Sequence, residues 1–184
     1  FSAPAAWEDL WPAMDAADED VRVVGGGTWV VPELQLGRGP VHLVSLRRLP
    51  LPDVLAGAGC LRLGATTTYA DLLASSLVRQ LAPMLRHLAG GVTGGPQIRT
   101  QGTLGGAAVA ARPQSDLCAL DATLVLMPAP GPRRVAAHEF FLGARRSDVR
   151  PGEVLVEISV PTPPVTRHRG HGYVKIKGAA SSWP

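Results

Sequence analysis

The sequence has few of the residues that would place metal chemistry on this chain. Only two cysteines occur among its 184 residues, too few for the full set of thiolates that usually holds an iron–sulfur cluster. Cys60 and Cys118 lie far apart and follow no metal-ligand spacing, so we expect reduced, buried thiols rather than a disulfide. The five histidines form no paired spacing typical of zinc. We therefore expect no metal site on this chain.

Long apolar runs and a strong net charge are also missing. No apolar stretch approaches the roughly 20 residues of a membrane-spanning helix, and the first residues lack the basic region and apolar core of a secretory signal. The formal net charge is only +3, and the arginines form scattered pairs rather than a stripe with interleaved aromatic residues. We therefore expect a cytoplasmic protein that spans no membrane and binds no nucleic acid.

The hydrophobic patterns predict strands and helices that are mixed rather than strictly alternating, which favours the α+β class. Pro12 is expected to break or end the first helix, and Thr28 is a candidate N-cap for the second. The predicted strands are Arg22–Val24, Val41–Leu46, Cys60–Gly64, Ala122–Met127, Val154–Val160 and Gly172–Ile176, with a strand end and short helix within Val135–Gly143. The predicted helices are Ala5–Asp18, Thr28–Leu36, Thr68–Leu81 and Met84–Ala89.

A proline-marked connection, Leu49-Pro50-Leu51-Pro52, predicts a boundary between two subdomains. Residues 1–51 would form a small β-α-β unit that contains a first glycine-rich loop. Residues 52–184 would form a larger α+β unit that contains a second one.

The first glycine-rich loop, Gly25-Gly26-Gly27-Thr28, follows a short strand and precedes a predicted helix. Glycines let backbone N–H groups approach an anion closely, and a helix N-terminus adds partial positive charge. The loop fits neither the G-x-G-x-x-G fingerprint nor the Walker A pattern. Taken alone, it predicts either a phosphate site or a mobile hairpin.

A second loop, Gly102-Thr103-Leu104-Gly105-Gly106, again places a hydroxyl group beside glycines, and Arg99 lies just before it. Asp116 follows, and its carboxylate suits a ribose hydroxyl, although it equally suits the cap of a helix that begins near Leu117. Two anion loops and a sugar-binding acid indicate a ligand with a diphosphate and a ribose or ribityl arm.

The order of these motifs resembles the FAD-binding (medium) subunit of the molybdenum hydroxylases, the family of carbon monoxide dehydrogenase, xanthine dehydrogenase and aldehyde oxidoreductase. The resemblance runs from about residue 5 to the end of the sequence. It is carried by Val24-Gly25-Gly26-Gly27-Thr28, Leu63-Gly64-Ala65-Thr66-Thr67-Thr68-Tyr69-Ala70-Asp71-Leu72, Pro96-Gln97-Ile98-Arg99, Gly102-Thr103-Leu104-Gly105-Gly106, Ser115-Asp116, Pro151-Gly152-Glu153-Val154-Leu155 and Tyr173-Val174-Lys175.

The resemblance implies a two-subdomain FAD-binding fold of the molybdopterin dehydrogenase and vanillyl-alcohol oxidase type. Asp116 would bind the ribose or ribityl region, Leu155 would pack along the cofactor, and Lys175 would reach the isoalloxazine, although a core leucine and a solvated lysine are the alternatives. Thr93 would lie near the flavin or adenine pocket. The first pyrophosphate loop would comprise Val23, Val24, Gly25, Gly26, Gly27, Thr28, Trp29, Val30 and Val31, and the second Thr103, Leu104, Gly105 and Gly106.

The same resemblance implies an oxidoreductase subunit without catalytic side chains of its own. Electrons would come from iron–sulfur (2Fe–2S) clusters on a small subunit, supplied by a molybdenum cofactor on a large subunit, and would leave through FAD to NAD, a quinone or oxygen. A stand-alone flavin oxidoreductase and a non-catalytic assembly subunit are the alternatives. The sequence departs from the family where Thr100 and Ala107 replace asparagines, and it is expected to lack the family's C-terminal domain.

Overall fold

The computed structural model describes residues 1–15, 20–38, 42–112, 114–128, 131–162 and 172. Its elements confirm a mixture of helices and strands that is not strictly alternating. The helices are α1 (Trp7–Asp15), α2 (Val30–Gln35), α3 (Tyr69–Ala74), α4 (Ser76–Leu81), α5 (Pro83–Gly90), α6 (Gly95–Gln101), α7 (Leu104–Val109), α8 (Gln114–Ala119) and α9 (Ala137–Phe140). The strands are β1 (Val21–Val24), β2 (His42–Ser45), β3 (Leu55–Gly57), β4 (Cys60–Gly64), β5 (Thr123–Met127), β6 (Arg133–Ala136), β7 (Phe141–Gly143), β8 (Arg146–Ser147) and β9 (Val154–Pro161).

An antiparallel sheet with the order β3-β4-β9-β5-β6 forms the centre of the structure. Strand β9 lies in the middle, and six of its eight residues are buried. Five of these six are apolar, and the sixth, Glu157, forms an ion pair with Arg62. The pairing between β5 and β9 shifts register between Val125 and Leu126. This irregularity changes the alternation, so that Val154 and Val156 pack in one core while Ile158 and Val160 pack in the other.

The two faces of this sheet cover two hydrophobic cores. The larger core contains Leu61, Leu63 and the fully buried Phe140, together with other apolar residues of α3, α4, α5, α7, α8 and α9. The smaller core joins Leu10 and Val44, which precede the predicted boundary, to the opposite sheet face. The division into residues 1–51 and 52–184 stays a prediction, and the smaller core draws residues from both sides of it.

The N-terminal β-α-β prediction agrees with the structure, in which β1 and β2 pair in parallel and α2 connects them. The predicted break at Pro12 is wrong, because α1 continues through this residue. The missing N–H of Pro12 removes only the bond to the Glu8 carbonyl, four residues earlier. Thr28 is also not the N-cap of α2. Trp29 takes that position, without a capping side-chain hydrogen bond.

The predicted helix Thr68–Leu81 is two helices, because Ser75 adopts an extended conformation between α3 and α4. Its hydroxyl accepts a hydrogen bond from the Val78 N–H at 3.3 Å and begins the second helix. Helices α6 and α7 occupy the glycine-rich region from Gly90 to Arg112, which belongs to none of the predicted helices or strands. Strands β3, β7 and β8 were not predicted. The last predicted strand, Gly172–Ile176, lies outside the described residues except for Gly172.

Candidate functional site

The two glycine-rich loops pack directly against each other. A Cβ atom added at Gly26 would lie 1.8 Å from the Gln101 carbonyl oxygen, and one at Gly25 would lie 2.6 Å from Oγ1 of Thr103. A side chain at either position would force the loops apart, which explains the glycines at these two positions. The structure therefore joins into one surface two loops that are about 75 positions apart in the sequence.

The first loop presents a run of backbone donors. Its carbonyl groups are bonded: Val24 accepts from the Leu46 N–H at 3.0 Å, and Gly27 accepts from the Val31 N–H at 2.9 Å. Within the described residues, the N–H groups from Gly25 to Trp29 have no hydrogen-bond partner. Successive backbone N–H groups of this kind form an anion-binding concavity.

The second loop uses its donors differently. The Leu104 N–H donates to the Thr67 carbonyl at 2.9 Å, and the Gly105 N–H donates to the Ala65 carbonyl at 3.1 Å. The Gly106 N–H donates to the Thr103 hydroxyl at 3.1 Å, which caps α7. These amides hold α7 against the turn after β4, so the second loop supports the first rather than adding to its free donors.

A cavity of about 1040 Å³ opens beside these loops. Its volume is at the upper end of the roughly 300–1,000 Å³ typical of small-molecule and cofactor sites. The predicted site residues in its wall are Val23, Val24, Gly25, Gly26, Gly27, Thr28, Trp29, Val30, Thr93, Thr103, Gly105, Gly106, Asp116 and Leu155.

Three predicted site residues are not in this wall. Val31 is 46% exposed on the outer side of α2, and Leu104 is fully buried in the larger core. Lys175 lies outside the described residues. Leu155 lines the cavity and also belongs to the larger core, so the two alternatives for this residue are both compatible with its position.

Thr93 lies in the loop between α5 and α6, and the side chain of Arg99 holds this loop in place. The Nη2 atom of Arg99 donates to the carbonyls of Gly90 at 2.9 Å and Val92 at 3.3 Å. Thr100, one of the two positions where the resemblance leads us to expect an asparagine, donates its hydroxyl to the Pro96 and Gln97 carbonyls and does not line the cavity. The other such position, Ala107, is part of the wall.

Asp116 is buried in the first turn of α8, in the electrostatic range of Tyr69. Burial raises the pKa of Tyr69 to about 12, while Arg112 opposes the shift and Asp116 adds to it. Tyr69 is therefore a protonated hydroxyl in the cavity wall. The capping box of α3, in which Thr68 and Asp71 exchange hydrogen bonds, fixes the start of the helix that carries it.

Two arginines that the sequence analysis did not select lie over the ring of Trp29. The Cζ atom of Arg112 is 4.3 Å from the ring centroid, and that of Arg145 is 5.5 Å away. Burial is the main cause that lowers the pKa of Arg112, and the like charge of Arg145 lowers it further. The sequence contained only a weak signal for this cluster, because Arg145 is part of one of several scattered arginine pairs.

An ion-pair network holds the cavity segment from Val149 to Glu153. Arg133 donates to both carboxylate oxygens of Glu153, at 2.7 and 2.6 Å, and to the Asp148 carboxylate at 2.8 Å. The hydrogen bond from Arg133 is the main cause that holds the pKa of Glu153 below its usual value. The carboxylate of Glu153 is therefore paired with Arg133, although Glu153 also lines the cavity.

The fold and the site together define a class of protein, an α+β domain in which two packed glycine loops border a cofactor-sized cavity. Residues 1–163 match the family described as FAD binding domain in molybdopterin dehydrogenase, and the chain belongs to this family. FAD is the cofactor of the family, as the sequence analysis expected.

Similar proteins agree with this assignment. The chain is 35% identical to the glyceraldehyde dehydrogenase medium chain of Sulfolobus acidocaldarius, covering 78% of this chain and 53% of that one. It is also 30% identical to the carbon monoxide dehydrogenase medium chain of Hydrogenophaga pseudoflava, in an alignment that covers 100% of this chain and 65% of the relative. A solved structure of carbon monoxide dehydrogenase from Hydrogenophaga pseudoflava superimposes with a TM-score of 0.89 at 29% identity, over 99% of this chain and 64% of that one.

The chain therefore spans between 53% and 65% of the length of the relatives named here. None of the helices in the described part of the chain is long and apolar enough to cross a membrane. Among the same residues, no group of three or more histidine, cysteine, aspartate or glutamate side chains is arranged to hold a metal ion.

Proposed function

We propose that this chain is the FAD-binding, electron-transfer part of a molybdenum hydroxylase. The observation that carries the proposal is the run of N–H groups from Gly25 to Trp29, which have no partner in the described part of the chain and lie beside a cavity of about 1040 Å³. The chain also belongs to the FAD-binding family. A diphosphate needs such a row of donors, and the rest of a dinucleotide needs a cavity of this size.

The residues present fit this cofactor. The amides from Gly25 to Trp29 would hold the diphosphate, and the second loop would keep them in place through the contacts of Gly25 and Gly26 with Thr103 and Gln101. Asp116, which is 7% exposed and lines the cavity, would accept hydrogen bonds from a ribose or ribityl hydroxyl. Thr93 and Leu155 would border the ring systems, and Lys175 would lie near the isoalloxazine.

When it is bound, the flavin supplies the redox chemistry, and the protein contributes binding, orientation and exclusion of water. Electrons would arrive from iron–sulfur clusters on a small partner subunit, which a molybdenum cofactor on a large partner subunit would reduce. They would leave to an external acceptor such as NAD, a quinone or oxygen. Support for these partners comes from the relatives, two of which are named medium chains of dehydrogenases.

A direct test is to purify the chain, record its visible spectrum and titrate it with FAD. We expect an absorption band of bound flavin, present at once or after FAD is added, and failure to bind FAD under either condition would overturn the proposal. Affinity purification from the source cells, with metal analysis of the eluate, tests the partners. Molybdenum and iron should co-purify in a fixed ratio to the chain, and their absence would refute the multi-subunit part of the proposal.

A further inference from the structure

Tyr69 borders the cavity and is only 8% exposed, yet its hydroxyl has no hydrogen-bond partner among the described residues. We propose that this hydroxyl is a specificity-determining donor that binds an uncharged acceptor on a ring system of the dinucleotide, either a carbonyl of the isoalloxazine or a nitrogen of the adenine. This inference rests on the proposed function, and it concerns a part of the ligand other than the diphosphate and the sugar.

The backbone on both sides of Tyr69 fixes the position of its ring. The Tyr69 N–H donates to the carbonyl of Gly102, the first residue of the second glycine-rich loop, at 3.2 Å. A Cβ atom added at Gly102 would lie 3.0 Å from Cε2 of Tyr69 and 3.2 Å from Cδ2. The capping box formed by Thr68 and Asp71 holds the first turn of α3. The ring therefore rests on the backbone of Gly102, in a place that a side chain there would occupy.

The hydroxyl of Tyr69 needs a partner that the described residues do not supply. Buried polar side-chain atoms in proteins are nearly always hydrogen-bonded, either to the protein or to water. Within the described part of the chain, the one fully buried side-chain nitrogen or oxygen without a hydrogen bond is Nε of Arg99. The Tyr69 hydroxyl makes no hydrogen bond and is not such a buried atom, so it keeps contact with open space. The cavity that Tyr69 lines provides this space.

The Tyr69 hydroxyl stays protonated at physiological pH and can therefore donate. Burial is the main cause that raises the pKa of Tyr69 to about 12, and Arg112 and Asp116 act on it in opposite directions. A protonated phenol donates one hydrogen bond. Ring carbonyls and aromatic nitrogens carry no proton of their own, so they are the ligand atoms that this donor suits.

The wall around Tyr69 suits a flat ring. Helix α3 packs against α5 and α6, and from these two helices Leu88 and Ile98 line the cavity. Ala65, in the turn before α3, and Gly102 add small residues to the same wall. Cofactor sites typically combine an apolar lining of this kind with a few placed polar groups that fix the orientation of the ligand. Tyr69 has the position and the chemistry of such a group.

The experiment removes the hydroxyl alone, in Tyr69→Phe. The phenylalanine ring keeps the contact with Gly102 and the place in the larger core, so the fold should be retained. The control is Ser147→Ala, which removes a hydroxyl that donates to the Val109 carbonyl at 2.8 Å and does not line the cavity. Each protein is titrated with FAD and with three fragments. Lumiflavin has the isoalloxazine without the ribityl arm, ADP has the adenine, and ribose 5-phosphate has a sugar and a phosphate without a base. Urea unfolding of each chain without ligand measures its stability.

We expect Tyr69→Phe to weaken FAD binding by about fivefold, the loss of one hydrogen bond. The affinity for ribose 5-phosphate and the urea midpoint should not change, because the hydroxyl contacts neither this fragment nor a described residue. A matching loss for lumiflavin places the acceptor on the isoalloxazine, and a matching loss for ADP places it on the adenine. Ser147→Ala should show the reverse pattern, with wild-type FAD affinity and a lower urea midpoint.

Wild-type FAD affinity in Tyr69→Phe would overturn the inference while leaving the proposed function intact. A lower urea midpoint, or an equal loss of affinity for ribose 5-phosphate, would also overturn it, because the hydroxyl would then support the fold or the binding of the sugar and phosphate. Weaker FAD binding with lumiflavin and ADP both unaffected would overturn it as well, because the hydroxyl would then serve the ribityl arm. If the wild-type chain binds no FAD, the proposed function itself fails.

Discussion

Replacing Gly26 by alanine tests the contact between the two glycine loops. The added Cβ would lie 1.8 Å from the Gln101 carbonyl oxygen, 2.7 Å from its carbonyl carbon and 3.2 Å from the Gly102 Cα. All three neighbours are backbone atoms, so no change of a side-chain rotamer can relieve the overlap. The loops must separate by roughly 1 Å or more, because close-packed interiors transmit such strain instead of absorbing it.

The expected magnitude has two parts. Inserting a methyl group into a packed contact of this kind costs about 1–3 kcal/mol of folding free energy. Displacing the amides from Gly25 to Trp29 would also weaken the hydrogen bonds that we propose they make to the diphosphate, and such bonds to a charged group are worth about 1.5–3 kcal/mol each. Losing one such bond lowers the affinity for FAD by about 10- to 100-fold.

The two effects are measured separately, by quenching of FAD fluorescence during titration and by urea unfolding of the chain without FAD. Gly57→Ala is the matched control, because Gly57 has a negative or extended φ and no atom lies within 4 Å of its added Cβ. We expect the control to behave as the wild type in FAD binding. Wild-type FAD affinity and stability in Gly26→Ala would refute the packed arrangement of the two loops.

Three further predictions concern stability. Ala111→Gly should raise the free energy of unfolding by about 1 kcal/mol, because a left-handed φ disfavours a residue with a Cβ. Gly37→Ala, at the equivalent end of α2, should lower the free energy of unfolding for the same reason. Urea unfolding measures both variants, and an Ala111→Gly variant less stable than the wild type would contradict the helix-end geometry. Arg133 lowers the folded-state pKa of Glu153, so the contribution of this ion pair to the free energy of unfolding is present above the unfolded-state pKa near 4.5 and is lost as the pH falls through the folded-state pKa. In thermal unfolding across this pH range, the stability of Glu153→Gln should therefore fall less steeply with decreasing pH than that of the wild type. An equally steep fall would contradict the role of the ion pair. Phe140→Ala, at a fully buried position, should cost about 3–5 kcal/mol, and a loss below about 1 kcal/mol would show that the core is placed wrongly.

The sequence predicted those features of the fold that depend on local patterns. The alternation of Val154–Val160 predicted β9, and the end of β1 at Val24 followed from the glycines after it. The shift in register between β5 and β9 could not be predicted, because it is a property of the pairing and not of either strand. The split of the helix at Ser75 was missed for another reason: serine is favoured at an N-cap, but it is also tolerated inside a helix, so a single serine does not mark a break.

The candidate site was predictable in its loops and not in its side-chain cluster. Glycines beside a hydroxyl residue are typical of an anion site, and most of the residues that the family resemblance added to the two loops line one cavity. Trp29, Arg112 and Arg145 meet from three distant segments, and no periodicity connects them. Of the three, only Trp29 was selected, because it adjoins the first glycine loop.

The two glycine loops have different tasks, although their sequences look alike. A row of backbone N–H groups that have no hydrogen-bond partner among the described residues is unfavourable wherever water is excluded from it. The first loop can keep such a row because Gly25 and Gly26 rest on Thr103 and Gln101, and α7 in turn is fixed by the bonds of its first amides to the turn after β4. At Ala107, where the resemblance leads us to expect an asparagine, the backbone N–H already donates to the Thr103 carbonyl, so the side chain at this position does not change the number of free backbone donors. Changes in the second loop should therefore alter the cavity through the position of the first loop, whereas changes in the first loop would act directly on the diphosphate that we propose it binds.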